Sequence, residues 1–322
     1  MLTIGPYQFD HKIVLAPMAG ITDAVYRQIC RQYGAGYTLS EMVASQKQLW
    51  DSKKSSTRGV AQSDPEPRAV QLLGTHPQEL AEAARWQQQN GAQIIDLNLG
   101  CPAKKVCSVA AGSALMGTPD KVADIFEAVI EAVDIPVTVK MRTGTDAENR
   151  NALQIALLAE EKGLKAITIH GRSREDKFNG QAEYETIRMV KQQIGIPVIA
   201  NGDINTPEQA KFVLEYTSAD GIMIGRATQG YPWIFQEINH YLKTGKHLPP
   251  PSMETFYHTM MKHTAGLHQL YGEMLGVRIA RKHIGWYSQH LPEGTHLRRP
   301  FNQLTEPNKQ LQLIEQFFAD LL

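Results

Sequence analysis

The sequence is short of most features that would point away from a reduced, aqueous compartment. Its 322 residues include only three cysteines, Cys30, Cys101 and Cys107, too few and too unevenly spaced for a disulfide framework or a zinc site. No apolar run approaches the roughly eighteen residues that a membrane-spanning helix needs. The opening MLTIGPYQFDHKIVLAPMAG has no basic leader and its apolar stretch breaks at Pro17, unlike a signal peptide. Neither sign of charge is in excess, with 33 Lys plus Arg against 33 Asp plus Glu, so no global field advertises nucleic acid, although a balanced total can conceal a local patch. A cytoplasmic protein is expected. With 42% hydrophobic residues the chain can build a sizeable core, and its length fits about two domains.

What is present is a regular alternation. From residue 13 to about 228, short apolar runs alternate with longer helical patterns. The strand candidates are IVLAPM (13–18), GYTLSEM (36–42), AVQLL (69–73), QIIDLNL (93–99), IPVTVKM (135–141), KAITIH (165–170), IPVIANGD (196–203) and DGIMIG (220–225). Between them lie amphipathic stretches such as PDKVADIFEAVIEAV, with Thr118 as the expected N-cap, Pro119 at N1 and Val122, Ile125, Phe126 and Val129 on one face. Eight βα units predict a parallel (β/α)8 barrel. A doubly wound sheet is the alternative, but no GxGxxG opens the first unit, and polar residues recur at the C-terminal ends of the strands. After about residue 244 the Pro-rich TGKHLPPPS reads as a linker, and the tail has helical spacing without a convincing strand. A barrel over 1–244 and an all-helical domain over 245–322 are expected.

The strand ends carry Met18, Glu41, Gln71, Asn98 with Cys101, Lys140 with Arg142, His170 with Arg172, Asn201 with Asp203, and Gly225 with Arg226; in a barrel they would converge on one mouth. The glycines and Arg226 of IANGDI and IGRATQG lie where barrels commonly bind a phosphate. Lys140 can bind a cofactor carbonyl, form a Schiff base or snorkel from the rim. Gln71 and His170 are equally open between structural and chemical roles. Cys101 ends a strand in a constrained turn between Gly100 and Pro102, with Lys104 and Lys105 placed to stabilise a thiolate, whereas Cys107, within the apolar CSVAAGSAL, looks structural. In the tail, Arg278, Arg281, Lys282, Arg298 and Arg299 interleave with Trp286, Tyr287 and Phe301, a pattern that serves either RNA or a solvated helix face.

The motifs APMAGITD, GCPAKKV, GSALM, KMRTG, HGR, NGDI and MIGRATQGYPWIF stand in the order and spacing of the bacterial tRNA-dihydrouridine synthases, and FNGQAEY and RIARKHIGWY resemble the B type. This resemblance covers nearly the whole chain. It implies an FMN-binding barrel followed by a helical tRNA-binding domain, with NADPH as the reductant, tRNA as the partner and position 17 of the D loop as the target. Reduced FMN would deliver hydride from N5 to C6 of uracil, and the Cys101 thiol would protonate C5. By motif, Pro17, Met18 and Ala19 would line the flavin, Gln71 and Lys140 would bond its ring edge, and His170, Asn201, Gly202, Asp203, Gly225 and Arg226 would hold its ribityl phosphate side. Asn98 would lie beside the flavin and the flipped uracil. Lys104, Lys105, Arg142 and Arg172, with the five basic residues of the tail, would meet the RNA. One departure stands out. Where B-type relatives carry a basic pair, Cys107 to Ala111 are uncharged.

Two other readings compete. One is a flavin barrel acting on a free pyrimidine, against which the basic and aromatic tail argues. The other is an RNA-binding module without activity, against which the intact Cys101, Lys140 and Arg226 argue. No obligate protein partner is evident, and a monomer is expected.

Overall fold

The computed structural model describes residues 1–50, 57–319 and 321. Strands β1 (Leu2–Ile4) and β2 (Tyr7–Phe9) form an antiparallel hairpin. Strands β3 (Ile13–Leu15), β4 (Tyr37–Ala44), β5 (Ala69–Leu73), β6 (Ile94–Leu99), β7 (Val137–Arg142), β8 (Ala166–His170), β9 (Val198–Asn201) and β10 (Gly221–Ile224) close a parallel barrel in sequence order, β10 returning to β3. The expected eight-stranded barrel is thus the observed one.

Alternation along the strands separates two cores. Ile95, Leu97, Val137, Val139, Ile167 and Ile169 point outward to the helices. Val14, Leu39, Ala69, Ile94, Ala166, Ile199 and Met223 fill the interior at its lower end, where Leu2, Ile4 and Phe9 of the hairpin close it. The hairpin was not among the expected strands, because three-residue strands leave almost no periodicity to read. In β6 the interior set runs Ile94, Asp96, Asn98, so the two polar residues sit above the apolar plug.

The helix Pro119–Ala132 buries Val122, Ile125, Phe126 and Val129 as its spacing predicts. Thr118 is the N-cap residue, yet its hydroxyl donates to the Leu115 carbonyl at 3.1 Å and makes no side-chain cap bond.

The C-terminal region is helical throughout its regular elements, over Met253–Tyr287, Gly294–Phe301 and Pro307–Ala319. The first is broken at Gly272, whose φ of 76° and ψ of 170° no L-residue adopts without strain. The break folds its two arms side by side, so that the rings of His263 and His283 lie 4.4 Å apart. Their apolar faces join Trp233, Phe256, Leu297, Ile314 and Phe318 in one cluster. Tyr287 and Phe301 belong to that cluster and are fully buried, which removes both from the RNA-facing series expected for the tail.

Candidate active site

Above the apolar plug, the C-terminal ends of the strands open into a cavity of about 820 Å³. Pro17, Met18 and Ala19 follow β3 on one side. Gln71, Asn98, Cys101, Lys104, Lys140 and Arg142 come from β5 to β7, and His170, Asn201, Gly202, Asp203, Gly225 and Arg226 from β8 to β10. Parallel register sets the layers: Gln71 is level with Asp96, Asp96 with Thr138, and Asn98 with Lys140.

Register turns into a continuous hydrogen-bonded chain. Asp96 accepts from Thr138 Oγ1 at 2.6 Å and from Gln71 Nε2 at 2.7 Å. Gln71 Oε1 accepts from Asn98 Nδ2 at 2.7 Å. Asn98 Oδ1 in turn accepts the amides of Gly100 and Cys101 at 3.1 and 3.0 Å. The buried carboxylate therefore fixes, through two amide side chains, the turn that presents the thiol. Asp96 was not foreseen as a member of the site, although its oddity in an apolar strand was the signal. Burial raises its pKa to about 6 against the opposing bonds from Gln71 and Thr138.

Across the cavity Lys140 Nζ donates to Asn201 Oδ1 at 3.0 Å, and Asn201 Nδ2 donates to the Met223 carbonyl. Burial, with Arg142 nearby, lowers the ammonium to about 8. His170 is held neutral: burial first, then the cations Lys140, Arg142, Arg172 and Arg226, push it down to about 2. Its Nδ1 is buried with no partner in the protein. Burial also raises the Cys101 pKa, outweighing an amide bond from Ala103 and the attraction of Arg142 and Lys140. The sequence reading gave Lys104 and Lys105 the task of stabilising a thiolate. Both are exposed, neither is a cause of the shift, and the group at neutral pH is a thiol.

Three residues expected to meet RNA, Arg172, Arg142 and Lys105, are otherwise engaged or set apart, whereas Cys107 packs as its apolar surroundings suggested. Arg172 is buried, and its guanidinium is consumed by a two-point bond to Asp203 at 2.9 and 2.6 Å and by the carbonyls of Asn179 and Gly180. It braces the Asp203 loop from behind, with only 2% of its side chain exposed. Arg142 lines the cavity, but it too bonds the carbonyls of Gly100, Ser173 and Lys177. Lys105 lies outside the cavity. Cys107 places its sulfur 3.6 Å from the Cys101 carbonyl and 3.7 Å from Ser113 Oγ, as a packing residue does. Arg226 remains 57% exposed in its side chain, bonded on one side to Asp203 at 3.1 Å. Phe178, which no motif reading singled out, overhangs the same wall with Arg142 and Arg226 at 5.5 and 5.3 Å from its ring centre.

The tail's basic residues are brought together elsewhere. Arg278, Arg281, Lys282 and Arg298 line a second hollow, and Arg299 is exposed outside it. Arg281 Nη2 donates to the Leu304 carbonyl at 2.9 Å. Lys282 reaches the barrel, donating its ammonium to the Gly20 carbonyl, while Glu41 accepts the Gly20 amide.

Residues 14–322 match the family model described as dihydrouridine synthase. The chain belongs to the dihydrouridine synthase family. It is 52% identical over 320 residues to the tRNA-dihydrouridine synthase B of Pseudomonas aeruginosa, covering 99% of this chain and 96% of that one. To the protein of the same name from Vibrio vulnificus it is 50% identical, covering 99% of each. A solved complex of 2-naphthoyl-CoA reductase is similar with a TM-score of 0.57 at 12% identity, covering 74% of this chain and 51% of that one; this likeness shows the barrel fold alone. A dihydrouridine synthase adds two hydrogens across the C5=C6 bond of uridine. One arrives as hydride and the other as a proton, and a site for that reaction needs a neutral acid held at a fixed point of a water-poor cavity.

Proposed function

We propose that this dihydrouridine synthase reduces a uridine in the D loop of tRNA, with FMN in the large cavity, NADPH as reductant and Cys101 as the proton donor. The observation that carries the reading is the thiol of Cys101, whose turn is held through its amide by Asn98 in a cavity that Lys140, Arg142 and Arg226 also line. The names of the close relatives support tRNA as the substrate.

The cavity fits a flavin in its donor set. Met18, Ile21, Met42 and Ile224 give apolar walls for a planar ring. Lys140 offers an ammonium to a ring carbonyl, and the unpartnered Nδ1 of neutral His170 is open to a further hydrogen bond. Arg226 and the backbone of Gly202, Asp203 and Gly225 suit a phosphate tail. When bound, the flavin supplies the hydride. The protein's part is then to hold the uracil and to complete the addition at C5. Gln71 keeps one N–H and one lone pair for the flavin's ring edge, and Asn98, whose oxygen is taken up by the Gly100 and Cys101 amides, keeps one N–H for the uracil. The Cys101 Sγ–H bond breaks as C5 gains its proton, and the thiolate formed is attracted by Lys140 and Arg142.

Residues 1–244 act as the catalytic unit and 245–322 as the tRNA-gripping unit, in a monomer of the cytoplasm. The B-type resemblance supports position 17. A free pyrimidine gains no support from a chain that gathers four basic side chains beside the site. The test is reduction of an unmodified tRNA transcript by the purified protein with FMN and NADPH, read by nucleoside mass spectrometry and mapped by nuclease fragments. Dihydrouridine at one D-loop position is expected. Reduction of free uridine or uracil with the transcript left untouched overturns the reading.

A further inference from the structure

Beside the flavin-side cavity lies the second hollow, of about 510 Å³, within the range that holds a small ligand. Its lining includes Arg278, Trp286, Gln289, Arg298 and Asn302, and no acidic side chain among the described residues. Arg281, at its edge, keeps a buried Nε without a partner. Two guanidinium groups, two amide side chains and an indole suit a ligand that is anionic at one end, flat, and polar around its edge. A nucleotide of single-stranded RNA has those properties.

The helix that carries this hollow also touches both walls of the cavity. Lys282 holds the Gly20 carbonyl, next to the lining residues Ala19 and Ile21. On the other side the backbone of Trp286 presses on Gly230, where an added Cβ would lie 2.4 Å from the Trp286 carbonyl carbon. Gly230 adjoins Gln229, another lining residue. The two hollows are therefore separated by single loops.

We propose that the hollow takes a second unstacked nucleotide of the tRNA whose uridine occupies the cavity. Its base lies against Trp286, its edge is read by Gln289 and Asn302, and its phosphate is met by Arg278 and Arg298. Holding two nucleotides of one loop at once selects one uridine among several, because a register shift that refills the cavity empties or misfills the second hollow. The inference rests on the tRNA reading.

The test is a set of transcripts in which each D-loop nucleotide other than the target is in turn made abasic, which removes the base and keeps the phosphate. With the wild-type chain, one position is expected to raise KM roughly tenfold or more, the worth of one base–aromatic stack. With Trp286→Ala that single penalty should vanish, and with Trp286→Phe it should persist. A general folding defect would lower the turnover of every transcript equally and leave each KM penalty in place, so the coupling isolates the contact. Penalties that are all independent of Trp286 overturn the proposal. Failure of the wild-type chain to reduce the intact transcript would instead defeat the tRNA reading beneath it.

Discussion

Cys101 shows how a side chain's task follows from what surrounds it. As the proposed proton donor, with its pKa raised by burial, the sulfur would keep its proton until a basic carbon needs it, so Cys101→Ala should cut dihydrouridine formation by about a hundredfold to ten-thousandfold. Binding of tRNA, measured by filter retention, should be unchanged; turnover near the wild-type level would assign the proton to another group. Arg172 makes the opposite case. Its motif suggested contact with RNA, but its guanidinium is buried against Asp203 and two carbonyls. Arg172→Ala leaves that carboxylate without its main partner and should cost about 3 kcal/mol of stability in urea unfolding, while the salt dependence of tRNA binding stays as it was. A flattened salt dependence at full stability would restore Arg172 to the RNA. These two residues mark what single positions reveal. Cys101 was legible because glycine, cysteine and proline after a strand define a turn, whereas nothing in a sequence says which guanidinium is already satisfied.

At the scale of elements, β6 was the most readable strand. Alternation put Asp96 and Asn98 inside and Ile95, Leu97 and Leu99 outside, and closure of the barrel then converted their register into the chain that ends at the Cys101 amide. The helix Met253–Tyr287 was the least readable, since helical spacing continues through Gly272 and only the backbone shows the fold-back. There Gly272→Ala should cost about 1 to 3 kcal/mol, the strain of a non-glycine residue held in that region, seen as a lower urea midpoint; an unchanged midpoint would mean that the break relaxes. The same fold-back sorts the basic series. Arg278 and Arg298 are exposed beside the second hollow, so Arg278→Ala with Arg298→Ala should reduce the slope of log affinity against log salt by a little under two units. A slope that does not move would place the RNA elsewhere on the rim.

In the whole molecule the barrel and the helical region meet across a buried seam, where Tyr26 of the barrel stacks on His263 at 5.3 Å and Tyr271 donates to Asp23 at 3.3 Å. Seven histidines lie in the tail, and two of them, His263 and His283, are buried in this seam. Burial, helped by Lys282, lowers His263 to about 3, and burial with His263 and Lys282 pushes His283 well below 6.5. Both are therefore neutral in the folded protein, while in the unfolded chain they take up protons below pH 6.5. Stability must fall as the pH drops below that value, by about 1.4 kcal/mol per pH unit for each proton bound only by the unfolded chain. Asp23 opposes this, because burial raises it to about 6 from 3.8 and the folded form gains stability through that window. In the barrel, Asp96 offsets His170 in the same way. Between about pH 6.5 and 6 His170, His263 and His283 act, with the half-buried His290 shifted the same way, and below 6 two acids cancel two of them, leaving a shallower fall. Between pH 7 and 5 the free energy of urea unfolding should decline by about 2 to 4 kcal/mol, and His263→Gln should flatten the curve. Equal or greater stability at pH 5 would show that the seam admits the protons, and that the two regions are joined by less than a closed, apolar contact.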